Sequence, residues 1–174
     1  MPIRIDIRPL QKDDPRGDFS CGQADLDRFF HYYAGQNQFK FHLAVTYVAV
    51  SEAGILGFAT VAVAALERQS FPDERQRKKL PGYPLPVLRL ARLGVDLRAQ
   101  GLGIGRALVR HVLRLAVTQR DTLGCLGVVT DAKPEAVRFY QGFGFVPLEV
   151  REGVGHDETT AMFLPIGALG SALE

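Results

Sequence analysis

Gln100-Gly101-Leu102-Gly103-Ile104-Gly105 lies between the apolar stretch Val87 to Val95 and a helical repeat from Ile104 to Gln119, and it decides how the rest of the chain is read. In the repeat, Leu108, Val112 and Leu115 recur at helical spacing, and Arg106, Arg110 and Arg114 fall every four residues on the other side. The unit is strand, glycine loop, helix. Glycines let several backbone N–H groups point into one concavity without side-chain obstruction. The helix start adds a partial positive charge of about half a unit. Together they suit a diphosphate. Arg98 and Arg106 flank the loop and can add charge-assisted hydrogen bonds. The loop does not fit the dinucleotide pattern, because its glycines are spaced two and two and it follows the fourth strand rather than the first. It lacks the Gly-Lys-Ser/Thr of a P-loop. Taken alone, a glycine-rich turn without a ligand stays open.

Downstream, Cys125 to Val129 reads as a short buried strand and Pro134 to Gln141 as a helix with proline at its first position. Gly142 and Gly144 end that helix, and Phe145 to Val150 and Thr159 to Leu164 read as closing strands. Upstream, Ile3, Ile5 and Ile7 alternate with Arg4, Asp6 and Arg8, which predicts a first strand ended by Pro9. Leu26, Phe29, Phe30 and Tyr33 predict one amphipathic helix over 23–38. His42 to Val50 and Ile55 to Leu66 predict an antiparallel hairpin, followed by a polar insertion from Arg68 to Tyr83. Arg89 and Arg92 have opposite parity on the next strand, and Gly94 marks a bulge or a close backbone approach. The order β-α-β-β-β-α-β-α-β-β predicts an α/β (α+β) protein, a mixed sheet with helices packed on it, in a single domain over 1–174.

The bulk numbers agree with a folded domain: 174 residues, 47% apolar and 23% charged. The longest apolar run, Ile55 to Leu66, is far short of the roughly 20 residues a spanning helix needs. The N-terminus lacks the apolar core of a signal peptide. A cytoplasmic protein with no membrane association is expected. Cys21 and Cys125 form no ligand-spaced pair, and His31, His42, His111 and His156 show no metal spacing, so no metal site is expected. A net charge of +2 neither announces nor excludes a nucleic-acid partner.

Gln100-x-x-Gly103-x-Gly105 at the end of a strand resembles the pyrophosphate-binding motif of the GNAT N-acetyltransferases. The block Asp131-Ala-Lys-Pro-Glu-Ala-Val-Arg-Phe139-Tyr140-Gln-Gly-Phe-Gly144-Phe145 is similar to that superfamily's acetyl-CoA motif. Phe19-Ser-Cys-Gly-x-x-x-Leu26-Asp27-x-Phe29 and Pro84-Leu-Pro-Val-Leu-Arg-Leu-Ala-Arg-Leu-Gly-Val-Asp96 look like one branch, the acetyltransferase toxins that modify aminoacyl-tRNA. An alanine usually stands in that branch where Gly94 stands here. The segment Gly167 to Glu174 matches nothing in the resemblance.

The resemblance implies the GNAT fold, with a mostly antiparallel central sheet flanked by helices, and acetyl-CoA as donor. It implies that an amine attacks the acetyl thioester directly. The cofactor is then held by Leu93, Gly94, Val95, Arg98, Gln100, Gly101, Leu102, Gly103, Ile104, Gly105 and Arg106, with a main-chain N–H of Leu93 to Val95 meeting the carbonyl oxygen. Tyr140 is either a core aromatic beside Phe139 or the acid that protonates the departing thiolate, and the motif position implies the acid. Glu67 and His42 are not tied to the site by sequence, and no base is assigned. An α-amino acceptor, with a pKa of about 8, needs no strong base. Arg75, Arg77, Lys78 and Lys79 are either a solvated loop or contacts to an RNA acceptor. The branch further implies a ribbon-helix-helix antitoxin, and the superfamily a homodimer. Two other readings stay open: an acetyltransferase for a small amine or protein amino group, and a CoA- or antitoxin-binding module with little catalysis.

Overall fold

The computed structural model describes residues 3–149 and 158–173. Seven strands form one sheet in the order β1-β2-β3-β4-β5-β7-β6, where β1 is Asp6–Pro9, β2 Val45–Ser51, β3 Gly54–Leu66, β4 Leu85–Val95, β5 Gly127–Ala132, β6 Val146–Pro147 and β7 Thr160–Pro165. The pairs β1–β2, β2–β3, β5–β7 and β6–β7 are antiparallel. The helices are α1 Ala24–Tyr32, α2 Ala34–Phe39, α3 Glu74–Lys79, α4 Ile104–Thr122, α5 Val137–Gln141 and α6 Leu169–Leu173.

The chain packs as two compact units, Met1–Ala62 with Leu90–Val112 and Val63–Arg89 with Leu113–Glu174. The core of the first is built on aromatic rings. Phe30 stacks on Phe58 at 4.5 Å, and Phe19 meets Phe30 and Phe58 edge-on at 4.8 and 5.4 Å. Leu10, Leu26, Phe29, Ala34, Val48 and Ile55 complete the cluster. Gly57 and Gly94 are small because both faces of the strands are filled. A Cβ on Gly57 would lie 2.9 Å from Ile104 and Leu108, and one on Gly94 would lie 2.8 Å from the Phe58 ring. Gly94 is thus a close approach, and the bulge falls on the neighbouring strand. Ala49 faces Gly57 and Val50 faces Ile55, leaving Leu56 as the extra residue.

The second unit packs Phe71, Leu85, Val87, Val129 and Phe163 together, with Phe71 edge-on to Phe163 at 5.2 Å. Within it β5 and β7 touch closely at Gly127, where an added Cβ would meet the carbonyl oxygen of Leu164 and lie 2.7 Å from the Phe163 ring. A backbone carbonyl in a paired strand cannot swing aside. Gly127→Ala is expected to destabilise the fold by about 3 kcal/mol, which lowers the melting temperature by about 6–12 °C. An unchanged melting temperature in a thermal scan would contradict this packing.

Several expected boundaries move. The first strand starts at Asp6, not Ile3, and includes Pro9 on the sheet edge, where a missing N–H is tolerated. The single helix over 23–38 is two helices, because the chain breaks at Tyr33, which is exposed rather than on the buried stripe. β2 begins at Val45; His42, three residues before it, sits at φ +54. The polar insertion holds α3, capped by Asp73, whose carboxylate accepts from the Arg75 N–H. β5 runs to Ala132 and starts after Cys125. The helix at Pro134 is a 3-10 turn, Pro134–Ala136, leading into α5. α4 buries Val109, Leu113 and Ala116 besides the expected Leu108 and Val112. Val150 and His156 lie outside the described residues. No described helix is long and apolar enough to cross a membrane, and the described residues contain no cluster fit to hold a metal ion.

Candidate active site

The glycine loop has the geometry its sequence predicts. Gly101 and Gly103 take φ of +79° and +86°, which L side chains rarely adopt. A Cβ on either would meet nothing within 4 Å, so the loop opens onto empty space. α4 starts at Ile104, and the Gly103 carbonyl accepts its first helical bond from the Ala107 N–H at 3.0 Å. The N–H groups of Ile104, Gly105 and Arg106 precede the first residue able to bond within the helix. The helix dipole adds a partial positive charge at this end of the helix. Leu102 is exposed at the loop tip, and Leu93, Gly94 and Val95 form the end of β4 leading to it.

A network that spacing does not reveal holds this loop. Asp96 is almost fully buried, and its carboxylate accepts from the N–H of Ser20 at 3.2 Å and the N–H of Arg98 at 2.9 Å. It also takes a two-pronged contact from the Arg98 guanidinium, at 2.9 and 3.2 Å. Burial alone would raise the Asp96 pKa, but the Arg98 side chain and the two N–H donors outweigh it and hold it below the ordinary carboxylate range. Its stabilising contribution is therefore complete above that range and is lost only as pH falls through the lowered value. The Asp96 N–H in turn bonds the carbonyl of the bulge residue Leu56 at 2.8 Å. Gln100 donates its side-chain amide to the carbonyls of Cys21 and Val95, at 3.1 and 3.0 Å. Asp27 closes the circuit, accepting from the Cys21 N–H at 2.8 Å and the Ser20 hydroxyl at 3.1 Å. So Ser20 and Cys21, themselves held by Asp27, brace Asp96 and Gln100 from 76 and 79 residues away in the chain. The side chains of Arg98 and Gln100 are braces in this structure, and the loop's own donors are main-chain.

In the second unit, Tyr140 lies on α5, 5% exposed, its ring edge-on to Phe139 at 5.2 Å and Phe145 at 5.3 Å. Its hydroxyl hydrogen-bonds Thr130 on β5. Burial pushes its pKa up to about 12, against a small opposing effect of that bond. The phenol is fully protonated at neutral pH. It is thus a packed aromatic with a satisfied polar tip, which is how a tyrosine is held in one orientation. Of the basic segment, Arg77 bonds the carbonyls of Phe71 and Pro72 at 2.6 and 3.0 Å, and Lys78 faces Glu74 at 3.5 Å. Arg75 and Lys79 are exposed on α3. Two of the four basic side chains are therefore engaged within their own segment.

A family model described as an acetyltransferase (GNAT) domain matches residues 42–147. The chain belongs to the GNAT acetyltransferases. It is 30% identical, over 139 residues, to a tRNA-acetylating toxin of Mycobacterium tuberculosis, covering 79% of this chain and 82% of that protein. Among solved structures it is similar to a Tyr→Phe variant of KacT, with a TM-score of 0.85, 26% identity and coverage of 96% of this chain and 98% of that one. It is equally similar in fold to AtaT complexed with acetyl-methionyl-tRNAfMet: TM-score 0.85, 25% identity, 98% and 100% coverage. This GNAT chain is an N-acetyltransferase with acetyl-CoA as acyl donor. Its loop fits that donor: a positive-φ cradle with open space where side chains would stand, at the start of a 19-residue helix, is what a diphosphate requires. The resemblance to the toxin branch, read from Phe19 to Phe29 and Pro84 to Asp96, is borne out.

Proposed function

We propose that this acetyltransferase transfers the acetyl group to the α-amino group of aminoacyl-tRNA, as the toxin of a toxin–antitoxin pair. The observation that carries the reading is the 30% identity to a tRNA-acetylating toxin over 79% of the chain. The building of the Phe19-Ser-Cys-Gly stretch into the loop's brace supports it, because the residues that mark the branch are those that hold the donor site.

In this reading the donor brings an activated acetyl thioester. The main-chain N–H groups of Gly101, Leu102, Gly103, Ile104, Gly105 and Arg106 bind its diphosphate, with Arg98 and Gln100 holding the loop in shape. A main-chain N–H in the segment Leu93, Gly94, Val95 hydrogen-bonds the carbonyl oxygen as it gains charge. The acceptor nitrogen attacks the carbonyl carbon, the C–S bond breaks, and the Tyr140 hydroxyl donates to the departing sulfur. The nitrogen must be neutral. An α-amino group with a pKa of about 8 leaves roughly a tenth of the acceptor neutral at pH 7 without a dedicated base. A lysine, at about 10.4, leaves less than a thousandth.

The same reading sets the protein in the cytoplasm with charged tRNA, acting as a single acetyltransferase domain over residues 1–174. One family model spanning 42–147 draws on both compact units and supports that single domain. A ribbon-helix-helix antitoxin is its regulator, and a second copy of the chain a further partner. Arg75, Arg77, Lys78 and Lys79 keep a role in meeting acceptor phosphates, carried chiefly by the exposed Arg75 and Lys79. The test is incubation of the purified protein with acetyl-CoA and bulk aminoacyl-tRNA, followed by mass spectrometry of the released aminoacyl groups. N-acetylated aminoacyl product is expected. Its absence, with folded protein that binds CoA, would remove the tRNA reading and leave a small amine or protein acceptor.

A further inference from the structure

Beside β4, a cavity of about 500 Å³ opens between α1, α2 and the strand, lined by Asp25, Arg28, Phe29, Tyr33, Asn37 and Arg92. We propose that this cavity receives the 3′-terminal nucleotide of the charged RNA, with Arg28 and Arg92 meeting its phosphate and Tyr33 stacking on its base. The proposal rests on the acceptor reading above and adds to it a place and a set of residues.

Three observations carry it. The first is position. Arg92 directly precedes Leu93-Gly94-Val95, and residues two apart on a strand share a face within about 7 Å. The cavity therefore adjoins the stretch assigned to the acyl carbonyl. The second is charge. Two guanidinium groups against one carboxylate favour an anionic ligand and disfavour a lysine or polyamine. Arg92 lies over the Phe29 ring at 4.2 Å, a cation–π contact that holds the guanidinium at the cavity wall. The third is the lining. Tyr33, displaced from the buried stripe by the break between α1 and α2, is 40% exposed at the cavity, and an aromatic face there can stack on a base. Asn37 adds an amide able to pair with an adenine edge. The volume is within the range of sites that hold a nucleotide-sized ligand.

The test uses the full chain and charged tRNA, reading kcat/KM across a series of salt concentrations, together with the KM for acetyl-CoA. Arg28→Gln is expected to lower kcat/KM on charged tRNA about tenfold and to reduce the slope of log(kcat/KM) against log salt by about one. Arg28→Lys should restore most of that slope, since it keeps the charge. Tyr33→Leu should lower kcat/KM about tenfold and leave the slope as it was, because stacking carries no counterion term. The KM for acetyl-CoA should not move in any of the three. If the wild-type protein acetylates charged tRNA and Arg28→Gln and Tyr33→Leu match it in both kcat/KM and slope, the cavity is not the acceptor site, although the tRNA reading stands. If the wild-type protein acetylates only small or protein amines, both fall.

Discussion

Gly103→Glu is expected to abolish measurable binding of acetyl-CoA at concentrations that saturate the wild-type protein, with the protein still folded. Nothing lies within 4 Å of the position its Cβ would take, so the new side chain displaces no neighbour. At φ +86° the substitution carries a backbone cost of about 1–2 kcal/mol, which the well-packed core of the first unit is expected to tolerate. The effect on the ligand is larger. A carboxylate near the start of α4 fills the cradle, neutralises the helix dipole and opposes a diphosphate. Two like charges about 4 Å apart near a protein surface interact by about 4 kcal/mol, close to a thousandfold in affinity. Gly103→Ala separates the components, because it keeps the backbone cost and adds no charge. It should weaken binding by at most about thirtyfold, the equivalent of that backbone cost. Calorimetric titration with CoA reads both variants. Wild-type affinity in Gly103→Glu would show that the loop does not hold the diphosphate.

Tyr140→Phe, the second large effect, is expected to lower kcat by about 100- to 10,000-fold, the range for removing a positioned general acid. It leaves the affinity for acetyl-CoA nearly unchanged. The ring sits between Phe139 and Phe145, and phenylalanine fills the same space. The lost bond to Thr130 costs the fold about 1 kcal/mol. The pH profile is a separate check. With its pKa pushed up to about 12, the phenol stays protonated below that value and remains able to donate throughout the working range. The rate should rise with pH as the acceptor amine loses its proton near pH 8 and then stay level to at least pH 10. A fall centred between pH 8 and 9.5 would assign the acid to a different group. Unchanged turnover in Tyr140→Phe would do the same directly.

Most of the fold was legible because hydrophobic period reports burial, and burial is what a packed core imposes on sequence. The hairpin of β2 and β3, the long α4 and the strand before the glycine loop all lie within a few residues of their expected bounds. Departures cluster where local pattern and tertiary context compete. Tyr33 continues the helical spacing of Leu26, Phe29 and Phe30, yet it stands at the break and faces outward. Ile3 continues the alternation of Ile5 and Ile7, but β1 pairs with β2 only from Asp6 to Pro9. α3 was hidden in a polar segment because six residues with no buried face leave no apolar period to detect.

By itself, the sequence determined that a glycine loop joins a strand to a helix and that a Phe-Tyr pair follows it, two features whose resemblance to GNAT motifs implied an acyltransferase. Such features are written in consecutive residues, since positive φ and helix starts depend on local chemistry. The tertiary structure alone decided what the flanking side chains do. Arg98 and Gln100 flank the loop in a linear reading, and the fold turns their side chains onto Asp96, Cys21 and Val95. Ser20 and Asp27, part of a branch motif but given no role by it, buttress the loop. The cavity at Arg28 and Arg92 exists because a helix and a strand more than sixty residues apart in the chain are packed against each other. Hydrogen bonds and cavities of this kind join residues that no local rule connects, so they become visible only once the chain has closed on itself.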